Sequence, residues 1–151
     1  MKLAEALILR ADQRTRLDQL KQRLVRSARV QEGDDPPESP SDLLRESERT
    51  ADELERLIQR INRTNSTTRL GDGTLSDALA TRDVLALRRS VHAELAQAAA
   101  VVQDRYTKSE VKFKSTVNVA DLQKRADALA KAYRELDARI QEANWKTDLL
   151  E

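Results

Sequence analysis

The sequence predicts an all-α protein: a four-helix bundle of two duplicated αα-hairpins, with a short β-strand or hairpin insert around residues 109–117. The first supporting observation is periodicity, because apolar residues recur every three or four positions in four long segments. The second is composition: the 151 residues are 39% hydrophobic and 35% charged but only 3% aromatic, which is typical of long amphipathic helices. The third is a stretch of eleven residues that recurs later in the chain with five positions identical.

Length and charge limit the function classes. A chain of 151 residues fits one domain, taken here as residues 1–151. The 27 basic and 26 acidic residues give a net charge of +1, which argues against nucleic-acid binding. The absence of cysteine excludes disulfides, thiolate catalysis and cysteine metal sites. With no signal-peptide pattern and no apolar run of about 20 residues, we expect a cytoplasmic protein that does not enter membranes.

The first half of the chain predicts two helices. The first covers residues 2 to about 29, with an apolar stripe that begins at Leu3. Residues 33–37 contain Gly33 and two prolines and end it. Ser39, Pro40 and Asp42 then supply an N-cap, a first helical residue and an acidic first turn, so a second helix starts here and runs to about residue 67.

The second half predicts a turn, a helix, an insert and another helix. Residues 69–73 form a tight connection, and Thr74 and Asp77 start a third helix that runs to about residue 102. Residues 109–117 alternate apolar and polar side chains, which favours a short strand. Asn118 and Asp121 cap a fourth helix. The stripe predicted to be buried in the third helix consists of Ala80, Val84, Leu87, Val91, Leu95, Ala98 and Val102.

The doubled stretch indicates an internal duplication. Residues 60–70 match residues 139–149 at five of eleven positions, 79 residues apart. The same offset aligns the second and fourth helices with their caps, and an offset of 72 aligns the first with the third. We therefore predict two copies of a helix–loop–helix unit, residues 2–70 and 74–149.

Six polar residues fall on helix faces that should be buried. Their predicted positions gather them at one end of the bundle, close to both termini. One interpretation is a paired polar layer that fixes helix register; the other is a small anion pocket between two arginines. The residues of this candidate polar layer are Arg10, Arg82, Asn65, Asn144, Thr68 and Thr147.

No residue pattern predicts catalysis, so we expect a protein that is not an enzyme and needs no cofactor. His92 is the only histidine, and the Glu-x-x-His pairs of a di-metal bundle are missing. His92 also has no neighbouring nucleophile motif of the kind that a catalytic triad requires. No catalytic, cofactor-binding or metal-binding residues are predicted.

The predicted strand requires a hydrogen-bonding partner, because a lone strand leaves its backbone unsatisfied. It either pairs with residues 29–31 in the equivalent loop or with the same strand of a second chain. The second case makes a homo-oligomer. Its candidate contacts are Val111, Phe113 and Val117.

Six short segments carry a resemblance to a known family: residues 1–7, 30–34, 61–65, 104–106, 112–113 and 144–147. They resemble the septicolysin-like family of uncharacterised bacterial proteins, which carry a domain of unknown function. The resemblance covers essentially the whole chain and implies no established active site. Its label implies a membrane-active, haemolysin-type protein as one alternative.

The sequence thus favours an uncharacterised, non-enzymatic helical bundle that acts as an oligomeric structural or interaction protein. Two alternatives stay open. One is a membrane-active septicolysin-like protein. The other is a small-ligand or anion binder that uses the candidate polar layer.

Overall fold

The computed structural model describes residues 1–100 and 111–151. Within these residues the chain is all-α, with four helices and one small antiparallel sheet. This confirms the predicted fold class. In chain order the elements are α1 (Leu3–Ser27), α2 (Pro40–Thr67), β1 (Arg69–Leu70), β2 (Gly73–Thr74), α3 (Leu75–Ala99) and α4 (Val119–Lys146).

Local side-chain chemistry starts two of the helices where the sequence predicts. The Ser39 hydroxyl accepts a hydrogen bond from the backbone N–H of Asp42, and Pro40 is the first residue of α2. Asn118 does the same for α4, because its Oδ1 accepts from the N–H of Asp121 at 3.0 Å. Each cap satisfies a helical donor that would otherwise have no partner.

The sheet lies in the tight connection between α2 and α3. Arg69 pairs with Thr74 and Leu70 with Gly73, so only two residues form the loop. Gly71 has a φ of 62°, a conformation that glycine adopts at low cost and that suits the first loop position of a hairpin.

The predicted strand at residues 109–117 is wrong in its described part. Residues 111–117 form no strand, and residues 109 and 110 lie outside the described residues. The Ser115 hydroxyl donates to the carbonyl of Val117 at 2.6 Å and accepts from its N–H at 3.3 Å. These bonds fold the backbone locally and compete with pairing to another strand.

The chain divides into two compact units. The first comprises Met1–Leu75 and Gln141–Glu151, and the second comprises Ser76–Ile140. In the first unit, α1 packs against α2, and large apolar side chains such as Leu3, Leu20 and Ile61 are fully buried. In the second, the buried positions are mostly alanines: Ala78, Ala96 and Ala126.

The apolar stripe of α3 is exposed, which corrects the prediction that it is buried. Its exposed fractions are 43% for Val84, 66% for Leu87, 64% for Val91 and 42% for Leu95. Val102 lies outside the described residues. The helix has a second face with small residues, Ala78 and Ala96, and this face is buried. Periodicity identifies both faces but does not say which one points inward.

The helices agree in length in pairs. Both α1 and α3 contain 25 residues, and they begin 72 positions apart, at Leu3 and Leu75. Both α2 and α4 contain 28 residues, and they begin 79 positions apart, at Pro40 and Val119. These are the two offsets found in the sequence. None of the helices in the described part of the chain is long and apolar enough to cross a membrane.

Candidate functional site

The two ends of the chain meet in a short antiparallel bridge, which we call the terminal clasp (residues 1–3 and 147–149). Lys2 pairs with Asp148. The N–H of Leu3 donates to the carbonyl of Thr147 at 2.9 Å, and the N–H of Leu149 donates to the carbonyl of Met1 at 2.9 Å. The start of α1 is thereby joined to the residues that follow α4.

An ion pair lies on the clasp. The Lys2 Nζ is 2.8 Å from Asp148 Oδ1 and 3.3 Å from the carbonyl oxygen of Lys146. The hydrogen bond from Lys2, followed by its positive charge, lowers the pKa of Asp148 below its ordinary value. Both side chains are exposed or half-exposed, so the contribution to stability is small.

The clasp is expected to weaken in acid. A carboxyl whose pKa is lowered by folding stabilises the fold above its usual pKa of about 4, and the stabilisation is lost as the pH falls through the lower, folded-state value. Asp148→Asn removes this titration. The melting temperature of the variant should therefore fall less than that of the wild type when the pH is lowered below about 4. Parallel acid curves would contradict this expectation.

The same backbone contact occurs at the end of both copies of the doubled stretch, once at the β1–β2 hairpin and once at the clasp. The carbonyl of Thr68 accepts from the N–H of Leu75 at 2.8 Å, and the carbonyl of Thr147 accepts from the N–H of Leu3 at 2.9 Å. Thr68 and Thr147 stand 79 positions apart, and Leu3 and Leu75 stand 72 apart. Both threonines therefore have the same backbone role: each links the end of one helix to the start of another.

Thr64 links the end of α2 to the residues after the clasp, and sequence reasoning missed it. With Arg60, Thr68, Thr147 and Leu150 it forms what we call the terminal cluster. It is fully buried, and its Oγ1 accepts a hydrogen bond from the N–H of Leu150 at 3.0 Å while donating to the carbonyl of Arg60 at 2.8 Å. The Arg60 Nε donates in turn to the carbonyl of Leu150 at 2.9 Å. The signal available in the sequence was its position three residues after the apolar Ile61, on the same face of the helix. The counterpart of Thr64 at the 79-residue offset is Ala143, so the doubling concealed it.

Replacing Thr64 with valine should cost about 1–2 kcal/mol of unfolding free energy, because the partly buried hydrogen bond from the N–H of Leu150 loses its acceptor. Urea unfolding followed by circular dichroism measures this loss. Thr67→Val is the matched control, since Thr67 is exposed and its hydroxyl bonds only to carbonyls of its own helix. Equal losses in the two variants would show that the contact with Leu150 contributes nothing.

The other members of the candidate polar layer are distributed over both units. Arg10 and Asn65 are half-buried in the first unit, and Asn144, also in the first unit, is only 5% exposed. Arg82 lies in the second unit, where its Nη1 donates to Asp137 Oδ1 at 2.8 Å.

The charge of Arg82 is already balanced within its own unit. Burial disfavours the charged guanidinium, but the hydrogen bond and negative charge of Asp137 outweigh this, and the pKa of Arg82 is raised. Its Nε is buried and makes no hydrogen bond within the described residues. Since Asp137 neutralises the arginine, this geometry favours the structural interpretation of Arg82 over anion binding.

The most unusual surface of the described residues is the exposed stripe of α3, which we call the α3 face (Val84, Leu87, Val91 and Leu95). Phe113 adjoins its end. It is 81% exposed and lines a groove of about 450 Å³ with Leu95 and Ala98 of α3. Val111, two positions before Phe113, is 66% exposed, and Val117 lines the same groove. Two of the three predicted oligomer contacts thus lie beside α3.

The corresponding face of α1 is polar. At an offset of 72, the positions of the α3 face correspond to Asp12, Thr15, Gln19 and Arg23. The first three line a groove between α1 and α2 together with charged residues of α2. Two helices of equal length therefore expose chemically opposite surfaces at matching positions.

No cluster of three or more histidine, aspartate or glutamate side chains suited to a metal ion occurs in residues 1–100 or 111–151. The helices and the terminal cluster instead define a helical-bundle protein. Residues 10–149 match the model of a family described as "Family of unknown function (DUF6847)", and the chain belongs to this family.

The chain is also similar to a solved structure from Corynebacterium diphtheriae, described as a functionally unknown conserved protein. The two are 44% identical, the match covers 99% of each chain, and the TM-score is 0.93. A comparison with curated proteins gave no match. The family and the neighbour both have unknown function, and neither supports the septicolysin-like resemblance.

Proposed function

We propose that this protein is a non-enzymatic interaction protein that assembles with further copies of itself. The main observation that supports this proposal is the exposure of the α3 face and of Phe113. Contiguous exposed apolar residues on a soluble protein mark a binding surface, because their exposure to water is unfavourable. The proposal extends the predicted oligomer contacts from the insert to α3.

We infer that the two αα-hairpins arose by duplication. The paired helix lengths support this, as does the repeated contact of Thr68 and Thr147 with the next helix. In a duplicated chain, the polar face of α1 and the apolar face of α3 are diverged versions of one surface. Only one of them is then suited to protein contact. One self-complementary patch per chain gives a closed dimer and not an open chain.

Mass measurement in solution tests the assembly. The wild type is expected to have twice the monomer mass at micromolar concentration in analytical ultracentrifugation. Leu87→Asp, which puts a charge in the middle of the α3 face, should give a monomer with unchanged helicity. Thr15→Asp makes the same change at the matching position of α1 and should remain a dimer. A monomeric wild type would overturn the proposal.

A further inference from the structure

The apolar residues of the α3 face are spaced symmetrically. With Ala98, which is also exposed, they occupy positions 84, 87, 91, 95 and 98, separated by three, four, four and three residues. Reading the pattern backwards from Val91 gives the same spacing as reading it forwards. Such a pattern matches itself when a second copy of the helix runs in the opposite direction.

We infer that two copies of this chain pack through α3 as an antiparallel pair, with the twofold axis at Val91. This inference rests on the proposed self-assembly and specifies its geometry. Val91 then lies against Val91 of the second copy, and Leu87 against Leu95 of the second copy. Val84 lies against Ala98 of the second copy. A twofold interface uses the same patch on both chains, as this arrangement does.

The α3 face is straight enough for this contact. Val84 and Leu95 are eleven positions apart, as are Leu87 and Ala98. Eleven residues make close to three turns of an α-helix, so the face drifts little around the helix axis. From Val84 to Ala98 it extends about 21 Å at 1.5 Å per residue. An antiparallel helix can therefore follow it over its full length.

A protrusion and a hollow on the same chain give the same axis independently. Phe113 protrudes beside Leu95 and Ala98. The α3 hollow, a cavity of about 290 Å³, lies at the other end of the face and is lined by Ala80, Thr81, Val84, Leu85 and Arg88. An axis at Val91 carries position 98 onto position 84. Phe113 of each copy is therefore brought over the α3 hollow of the other.

The available apolar area is sufficient for a stable dimer. At their exposed fractions, the four residues of the α3 face and Phe113 offer on the order of 500 Å² per chain. A standard interface buries about 800 Å² of total surface per partner. Slightly more than half of such an interface is apolar. Buried aromatic side chains at the centre of a pocket supply much of the binding energy, and Phe113 has this role here.

Cysteine cross-linking tests the register, and the natural chain contains no cysteine. Val91→Cys is expected to form a disulfide-linked dimer under mild oxidation. Leu87→Cys alone should not, because in the antiparallel pair its two copies are about 12 Å apart along the helix. A mixture of Leu87→Cys and Leu95→Cys chains should cross-link. Gln19→Cys on α1 is the control that should stay unlinked.

The outcomes separate the register from the assembly. If the wild type is a dimer but Leu87→Cys links to itself as readily as Val91→Cys does, the helices are parallel and the inference is overturned. If the wild type is a dimer and Val91→Cys does not cross-link, α3 is not the interface and only the general proposal of self-assembly survives. If the wild type is a monomer, both fail.

The Phe113 contact is tested by affinity. Phe113→Ala should raise the dissociation constant of the dimer about 30-fold or more, since each dimer loses two aromatic anchors. Ala80→Trp fills the α3 hollow with its own side chain and should raise the dissociation constant by a similar factor. The paired control is Ile8→Ala, which shortens an exposed side chain on α1. Unchanged dissociation constants for both test variants, with helicity preserved, would show that Phe113 does not occupy the hollow.

Discussion

Replacing Ile61 with alanine is expected to lower the free energy of unfolding by about 2–5 kcal/mol. Ile61 is completely buried in the last turns of α2, three residues before Thr64, whose hydroxyl accepts from the N–H of Leu150. Alanine removes three carbon atoms from a packed region, so the protein loses both their transfer from water and their contacts around the cavity. Urea unfolding monitored by circular dichroism gives the value directly.

Two further variants make this measurement specific. Ile140, the counterpart of Ile61 in the doubled stretch, is also completely buried, so Ile140→Ala should cost a similar amount. Ile8 is 55% exposed, and Ile8→Ala should change the stability by less than about 0.5 kcal/mol. A small effect at Ile140 beside a large one at Ile61 would contradict the equivalence of the two stretches.

The helix starts were predictable because their causes are local. Ser39 and Pro40 begin α2, and Asn118 caps α4, as their positions in the sequence require. In each case a side chain and a backbone N–H three residues later decide the structure. No knowledge of the tertiary fold is needed for this step.

The burial of α3 was not predictable in the same way. Two faces of the helix contain apolar residues, and the one with the larger side chains is exposed. Helical periodicity measures how residues are distributed around an axis, whereas burial depends on what the rest of the chain places against them. A stripe that packs against a second copy of a protein has the same sequence pattern as a stripe that packs in the core of its own chain.

The prediction of a strand in residues 109–117 failed for a related reason. Alternating apolar and polar residues favour a strand only when another strand supplies hydrogen bonds. In residues 111–117 the Ser115 side chain bonds to the backbone of Val117 instead. The exposure of Phe113 is nevertheless consistent with the predicted use of this segment as a contact surface.

Only part of the terminal cluster could be predicted from the sequence. The doubled stretch directed attention to Thr68 and Thr147, but their shared role is carried by backbone carbonyls, which sequence patterns do not specify. Thr64 escaped because its partner, Leu150, is 86 positions away. A hydrogen bond to a distant N–H leaves no spacing in the sequence to recognise.

Cross-linking the terminal clasp by a disulfide should stabilise the protein strongly. The bonds from Leu3 to Thr147 and from Leu149 to Met1 flank the pair of Lys2 and Asp148, which makes it a non-hydrogen-bonded antiparallel pair. Such pairs bring their Cα atoms to about 4.5 Å, within the range that a disulfide spans. The double variant Lys2→Cys and Asp148→Cys should therefore oxidise without moving the backbone.

The expected gain comes from the unfolded chain. Closing a loop of more than 100 residues removes conformational entropy worth up to about 5 kcal/mol, while the lost ion pair lies on the surface and contributes little. A net stabilisation of about 3–4 kcal/mol follows. The same double variant measured oxidised and reduced provides its own control, and Lys2→Cys alone should not respond to the reductant. If oxidation leaves the urea midpoint unchanged, or lowers it, the ends of the chain do not meet as the clasp requires. If it raises the midpoint, the clasp is a native pairing that holds the start of α1 against the end of α4, as the bond from Leu75 to Thr68 joins the first residue of α3 to the end of α2.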